Sequence, residues 1–258
     1  LMFLSVFDMF KVGIGPSSSH TMGPMVAAAR FLDQMRASPF HFAGLRASLH
    51  GSLAFTGGGH ATDRATILGL AGFTPGDYDA DRAEAVLAQI NETHEITVDG
   101  LPPLRFNPKT DMIFDYDHKL EGHANGMMLM ATDAQGDVTL SETFYSIGGG
   151  FVMTEAELAA GKDTDEGAPV PFPFTSAAEM LEMAKASGKS IAQMKRDNEV
   201  SRNGEVHLRS GTKRLWQVMN DCINRGLATD GILPGGLSVK RRAKGIHDAL
   251  IAERGLNQ

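Results

Sequence analysis

The stretch LRASLHGSLAFTGGGHATD, residues 45–63, decides the fold of the surrounding sequence. Its first half alternates between two faces of an extended chain, one with Leu45, Ala47 and Leu49 and the other with Arg46, Ser48 and His50. This alternation predicts a half-buried strand over residues 45–54. The three glycines that follow predict a turn, and the turn opens a helix over residues 64–70.

Similar elements flank this stretch on both sides. Small and apolar residues at helical spacing predict a helix over residues 21–34, and a second, charged helix is predicted over residues 79–90. Further strands are predicted over residues 94–98, 104–106, 112–116, 127–132 and 138–147. Several neighbouring strands mixed with helices indicate an α+β (α/β) domain, which we place at residues 1–160. The apolar residues 1–7 are interpreted as a strand or a buried arm of this domain.

The character of the sequence changes near residue 161. A polar, proline-rich stretch predicts a linker over residues 161–174. Strand patterns are absent from residues 175–258, which are predicted to form an all-α segment. Its helices are expected over residues 176–187, 191–200, 206–227 and 238–254.

Composition excludes several function classes. The chain has 258 residues and a formal net charge of −7, so it has no electrostatic reason to bind nucleic acid. Cys222 is the single cysteine, which rules out a disulfide within the chain and a cysteine-type zinc site, and favours a reducing compartment. We expect it to be a small buried residue. No run of about 18 apolar residues is present, and no membrane partner is predicted.

The segment GPSSSHT, residues 15–21, places three serines and a histidine where a helix should begin. The first turn of a helix has free N–H groups and a positive dipole end, and serine hydroxyls add further donors. One serine is enough to cap a helix, so Ser17, Ser18, Ser19 and Thr21 are candidates for binding a carboxylate or a phosphate.

A second segment, residues 57–63, presents His60 after three glycines at a helix start. A histidine whose pKa lies near neutrality is suited to act as a general base. The alternative is a flexible turn with a surface histidine. A phosphate loop of the G-x-x-x-x-G-K-[ST] type is not present.

Two weaker segments complete the set. HANG, residues 123–126, lies at the entrance to an apolar strand and is also an ordinary turn sequence. SIGGGF, residues 146–151, is a strand end that runs into glycines, which is also typical of a bulge or close packing.

Five segments together resemble a known family, the single-chain bacterial L-serine dehydratases (L-serine ammonia-lyases) of the iron–sulfur type. They are, in order, FDMFKVGIGPSSSHTMGP, GSLAFTGGGHATD, HANGM, FYSIGGGF and LPGGLSVKRRA. The resemblance extends from about residue 5 to about residue 245. It implies a lyase of amino-acid catabolism and gluconeogenesis, whose N-terminal domain is similar to the allosteric substrate-binding domain of phosphoglycerate dehydrogenase.

The resemblance also implies the chemistry. Such enzymes convert L-serine to pyruvate and ammonia without pyridoxal phosphate, and a [4Fe–4S] cluster acts as a Lewis acid. His60 would be the first choice for the base, with His20 as the alternative, and His20 and His123 would otherwise orient the substrate. The implied substrate-binding residues are Ser17, Ser18, Ser19, Thr21, Asn125, Gly148 and Gly149.

One departure limits what this chain can do by itself. In the family the cluster is held by cysteines of the helical domain, whereas Cys222 stands alone here. We therefore expect no metal ligands in this chain and an inactive fragment, in which residues 1–160 are the β-type domain and residues 175–258 are only the start of a helical catalytic domain. The cysteines of the cluster are expected in the remaining C-terminal part of the same protein. A cytoplasmic homodimer is expected. The alternatives are a module that binds a small carboxylate or amino acid without chemistry, and an L-threonine dehydratase.

Overall fold

A computed structural model describes residues 3–161, 169–233 and 238–254 of the chain. These residues form two compact units. The sheet unit comprises residues 13–161, 232–233 and 238–240. The helical unit comprises residues 3–12, 169–231 and 241–254.

The two units contain the following elements. The described α-helices are α1 (Val6–Met9), α2 (Gly23–Ala37), α3 (Ser52–Gly57), α4 (Thr62–Leu70), α5 (Ala80–Thr93), α6 (Glu155–Ala159), α7 (Ala177–Ser187), α8 (Ile191–Asn203), α9 (Glu205–Ala228) and α10 (Ala243–Arg254). The described strands are β1 (Gly44–Gly51), β2 (Glu95–Ile96), β3 (Leu104–Arg105), β4 (Met112–Asp115), β5 (Asn125–Thr132), β6 (Val138–Gly148) and β7 (Phe151–Thr154). A π-helix at Ser18–Met22 leads directly into α2, and a short 3₁₀ turn spans Pro75–Asp77.

Strand β1 is the centre of the sheet. The strand order is β2-β3-β1-β5-β6-β7, and β4 also pairs with β1. Both β3 and β4 run parallel to β1, whereas β5 is antiparallel to it over its whole length. The described sheet is therefore mixed, and the prediction of a mixed α and β domain is confirmed.

Helices α2 and α4 supply helical residues to the core of the sheet unit. Met25, Phe31 and Leu32 of α2 are fully buried together with Leu68 of α4. A side-chain carbon at Gly69 would lie only 2.7 Å from the Ala28 Cβ, so the two helices pack closely because this residue has no side chain.

The structure corrects two details of the predicted β1. The strand ends at Gly51, whose φ of +54° interrupts the extended chain, and residues 52–54 belong to α3. From Ala47 to His50 the strand is also buried on both faces, whereas Arg46 is exposed as predicted. Ser48 and His50 are buried because they bond to each other and His50 also bonds to the His118 carbonyl oxygen.

The N-terminal residues form a short helix, so the interpretation of residues 1–7 as a strand is wrong for the described part. Ser5 caps α1 in a reciprocal arrangement with Asp8. The hydroxyl of Ser5 donates to Glu199 Oε2 at 2.9 Å, and the backbone N–H of Val6 donates to Glu199 Oε1. Residues 3–12 therefore group with the helical unit, although the sequence-based division placed them with the sheet.

The helices predicted for the C-terminal part are present as α7 to α10, but the last begins at Ala243 and not at residue 238, because Lys240 pairs with Ile232 in an isolated β-bridge. Much of the predicted linker, residues 162–168, lies outside the described residues. Cys222 is exposed on α9, so its expected burial is wrong. Within the described ranges no helix combines the length and the apolar character needed to cross a membrane.

Candidate functional site

Several segments that the sequence singled out meet at one end of the sheet. The last residue of β1, Gly51, pairs with the first residue of β5, Asn125. The Asn125 side-chain amide donates to the Ser146 carbonyl oxygen near the end of β6 at 3.0 Å. The π-helix approaches the same strand end, because a side-chain carbon on Gly23 would lie only 2.0 Å from Ser146 Oγ. Strand pairing thus brings distant segments together.

The serine run forms the π-helix Ser18–Met22, and Ser17 is its N-cap. The Ser17 hydroxyl accepts the His20 backbone N–H at 3.2 Å and lies 3.4 Å from Ser19 Oγ. Ser18 is exposed, so its side chain is the most accessible of the three serines. Single π-helical turns are rare and frequently mark functional sites.

Hydroxyl groups lie against both ring nitrogens of His20. Its Nδ1 lies 2.9 Å from Ser19 Oγ, and its Nε2 lies 3.0 Å from Ser52 Oγ. Burial first, and the neighbouring His60 second, lower the pKa of His20 below its usual value. The ring is therefore held in place and favours its neutral form.

His60 lies next to His20, with 4.9 Å between the two ring centroids. Its Nδ1 lies 2.9 Å from the Thr56 carbonyl oxygen. A carbonyl can only accept, so Nδ1 carries the hydrogen in the neutral ring and Nε2 keeps a lone pair. The Thr21 hydroxyl fixes the same residue by donating to the His60 carbonyl oxygen at 3.0 Å. This combination leaves His60 Nε2 as a basic nitrogen on a half-buried ring.

Asn125 pairs with the last residue of β1, and His123 lies two residues before it. His123 Nδ1 accepts the Asn125 backbone N–H at 3.1 Å, which places the ring hydrogen of the neutral form on Nε2. The intervening Ala124 carbonyl oxygen accepts the Ser52 backbone N–H at 2.8 Å. Ser52 therefore contacts both His20 and the segment that carries His123.

The glycine segment that begins with Gly148, the last residue of β6, has a local role. Gly148, Gly149 and Gly150 all have positive φ angles, at 101°, 60° and 77°. They form the turn between β6 and β7, which needs a backbone conformation that other residues rarely adopt. The structure places Gly148 and Gly149 beyond Ser146, in this turn, and a role for them in substrate binding stays a prediction.

Two contributing residues were missed in the sequence. Ser52 lies within GSLAFTGGGHATD, and no role was predicted for it. Its position directly after Gly51, at the start of a helix, was a signal that could have identified it. Ser146 is 2% exposed, and its hydroxyl has no hydrogen-bond partner among the described residues.

The chain does not provide a cluster site. Among the described residues, no group of three or more histidine, cysteine, aspartate or glutamate side chains is arranged to hold a metal ion. Cys222 is exposed and is the single cysteine of the sequence. Because a [4Fe–4S] cluster needs several thiolates, the residues present do not fit one.

Comparison with known proteins decides the family. The sequence profile described as "Serine dehydratase beta chain" matches residues 5–157. The chain belongs to the serine dehydratase beta chain family. The matched range contains every candidate residue from Ser17 to Gly149.

Curated relatives match most of the chain. It is 41% identical to an L-serine dehydratase of Streptomyces coelicolor over 94% of its length. It is 39% identical to L-serine dehydratase TdcG of Escherichia coli over 96%, and 37% identical to an L-serine dehydratase of Haemophilus influenzae over 98%. These matches cover 54%, 55% and 56% of the relatives, so the chain spans about half the length of the curated relatives it matches.

Proposed function

We propose that this chain supplies part of the active site of an L-serine dehydratase, a lyase that converts L-serine to pyruvate and ammonia. The observation that carries the proposal is the pair of rings formed by His20 and His60, in which His60 Nε2 keeps a lone pair. Family membership and the names of the relatives support L-serine as the substrate.

In this proposal, His60 Nε2 removes the proton from the substrate Cα. The Cα–H electrons form the Cα–Cβ double bond, and hydroxide leaves from Cβ. The aminoacrylate that results tautomerises and hydrolyses to pyruvate and ammonia. His20, with a lowered pKa and hydroxyls at both ring nitrogens, orients the substrate through the Ser19 and Ser52 hydroxyls and is not the base.

The substrate carboxylate would be bound at the N-terminal end of the π-helix. Unpaired N–H groups and the helix dipole favour an anion there. Ser17 caps this end, and Ser18 offers an exposed hydroxyl beside Ser19 and Thr21. His123 and Asn125 would contact the polar groups of the substrate. The Asn125 Oδ1 would serve as a hydrogen-bond acceptor in this contact.

A [4Fe–4S] cluster would supply a Lewis acid, which makes hydroxide a better leaving group. The residues of this chain do not fit the cluster, so its ligands are proposed to belong to a C-terminal catalytic domain of the same protein. The chain alone would then be inactive. A homodimer in the cytoplasm and a fold relation to the allosteric substrate-binding domain of phosphoglycerate dehydrogenase complete the proposal.

The deciding experiment uses the full-length protein that contains this chain, assayed anaerobically with L-serine and with α-deuterated L-serine. His60→Gln should lower kcat by at least about 100-fold, because a general base is worth about that much. His41→Gln, at an exposed histidine, is the matched control and should retain full activity. If His60→Gln kept its rate and its deuterium isotope effect, His60 would not be the base. If the wild-type protein left L-serine unchanged, the proposed function would be wrong.

A second candidate function is a module that binds a small carboxylate without chemistry, and the accessible serines of the π-helix favour it. Calorimetry of the 258-residue chain with L-serine tests this candidate. Binding that is lost in Ser18→Ala would support it, whereas absence of binding would support a site that needs the rest of the protein. Parallel titration with L-threonine tests the remaining alternative of a threonine dehydratase.

A further inference from the structure

The β4–β5 loop, residues 116–124, carries His123 to the candidate site, and buried side chains bond to its backbone at two points. The first is at His118. His50 Nδ1 donates to the His118 carbonyl oxygen at 2.8 Å, and its Nε2 accepts the Ser48 hydroxyl at 2.8 Å. The Asp115 carboxylate approaches His50 Nδ1 to 3.8 Å. His50 is 5% exposed, and both of its ring nitrogens bond to groups inside the protein.

The second point is at Gly122. The Tyr145 hydroxyl accepts the Gly122 backbone N–H at 3.3 Å and donates to Glu155 Oε1 at the same distance. Tyr145 is fully buried in β6, and burial raises the pKa of its hydroxyl, so the phenol keeps its proton. A side-chain carbon at Gly122 would lie 2.6 Å from the Tyr145 ring, which explains why the loop has a glycine there.

The loop then reaches the site directly. Two residues after Gly122, the Ala124 carbonyl oxygen accepts the Ser52 backbone N–H, and Ser52 Oγ contacts His20 Nε2. Gly51 makes this approach possible, because a side-chain carbon there would lie 2.5 Å from the Ala124 carbonyl oxygen. The loop backbone thus connects His118 and Gly122 to His123 and, through Ala124, to the Ser52–His20 contact.

We propose that His50 and Tyr145 are positioning residues, which hold the β4–β5 loop so that His123 and Asn125 face the substrate. Among the hydrogen bonds of the described residues, His50 bonds to Ser48 and to the loop backbone at His118, and Tyr145 bonds to Glu155 and to the loop backbone at Gly122. The inference rests on the proposed function for its catalytic consequence, whereas the fixing of the loop can be measured without any reaction.

The first measurement is amide hydrogen exchange together with the imidazole NMR signals of His123, in the 258-residue chain. Tyr145→Phe keeps the ring and removes the oxygen that binds the Gly122 N–H. We expect exchange at Gly122 to become about fivefold faster, the value of one hydrogen bond, and the His123 signals to shift. Tyr78→Phe is the matched control, because it removes a hydroxyl that bonds to Arg64 elsewhere in the sheet unit.

His50 is tested with two replacements. His50→Leu removes the donor to the His118 carbonyl oxygen, whereas the amide of His50→Asn can still provide one where Nδ1 was. The Leu variant should disturb the His123 signals and the Asn variant should restore them. A general loss of packing would affect both variants alike, and that result would overturn the role of His50.

The second measurement is kcat and KM for L-serine in the full-length protein. Tyr145→Phe and His50→Leu should lower kcat by about fivefold to tenfold and Tyr78→Phe should not. Unchanged exchange and unchanged His123 signals in both variants would overturn the proposal, and so would a displaced loop with unaltered kcat and KM. If even the wild type fails to act on L-serine, the proposed function is wrong, while the exchange data still decide whether the two residues fix the loop.

Discussion

Different interactions stabilise the sheet unit and the helical unit internally. In the sheet unit, large side chains such as Phe31, Leu49 and Phe106 are fully buried in one continuous apolar core. In the described part of the helical unit, Met194 is the buried apolar residue, whereas Ser5, Asn198 and Glu199 are buried polar residues. The sheet unit thus relies on apolar burial, and the helical unit relies on specific hydrogen bonds.

The exposed surface of helix α9 shows the same difference between the two units. Its apolar residues Trp216, Met219 and Ile223 are all exposed. Their spacing of three and four residues places them on one side of the helix. Positions that would stabilise a core in the sheet unit therefore contribute little in the helical unit.

The largest expected effect comes from deleting a core side chain of the sheet unit. Phe31→Ala should lower the free energy of unfolding by about 3–5 kcal/mol, because it removes a fully buried ring and leaves a cavity. Trp216→Ala, at a residue that is 64% exposed, should change it by less than about 0.5 kcal/mol. Urea unfolding followed by amide exchange in each unit measures both values. Equal effects at the two positions would contradict the comparison.

An intermediate effect is expected from the buried carboxylate of the helical unit. Glu199 accepts from Ser5 Oγ, from the Val6 N–H and from Asn203 Nδ2. Glu199→Ala should leave the Ser5 hydroxyl and the Val6 N–H without their acceptor and lower the stability of the helical unit by about 1–3 kcal/mol, whereas Asn203 Nδ2 still has Ser5 Oγ at 3.3 Å.

The readout for Glu199→Ala is limited proteolysis within residues 3–12, combined with amide exchange in α1 and α8. Both should accelerate, while exchange in β1 stays unchanged. Glu182→Ala, at an exposed glutamate on α7, is the control. If α1 stayed protected from amide exchange in Glu199→Ala, apolar contacts and not the carboxylate would hold residues 3–12 in place.

The smallest expected effect is a pH dependence in the sheet unit. The pKa of His20 is lowered in the folded chain, so the unfolded chain binds a proton more readily as the pH falls through the ordinary histidine pKa of about 6.5. The contribution of the neutral ring is complete above that pH and is lost as the pH falls toward the lowered value. His20→Gln should therefore reduce the decline in unfolding midpoint between pH 7.5 and pH 5.5. An identical decline in the wild type and the variant would refute this linkage.

Local patterns in the sequence were sufficient for most of the secondary structure. The helix predicted over residues 79–90 is present as Ala80–Thr93, because Asp79 caps it and its apolar residues recur at helical spacing. The strand predicted over residues 138–147 is present as β6.

Contacts between distant residues could not be predicted in the same way. Ser5 bonds to a carboxylate 194 positions later in the sequence, and no local pattern records that pairing. The burial of His50 depends on the His118 carbonyl oxygen, 68 residues away, so alternation alone placed it on an exposed face. Cys222 was expected to be buried because apolar residues lie near it on the same helix. Both Cys222 and these apolar neighbours are exposed in the structure.

The direct passage of β1 into α3 at Gly51 has a consequence for how the sequence can vary. No loop separates the strand from the helix, so His50 and Ser52 have a fixed separation along the backbone. One added residue would rotate Ser52 by about 100° around the helix axis, or would move His50 to the other face of the sheet. Homologous chains can exchange side chains at this junction, but we expect its length to be invariant, with insertions and deletions confined to the surrounding turns.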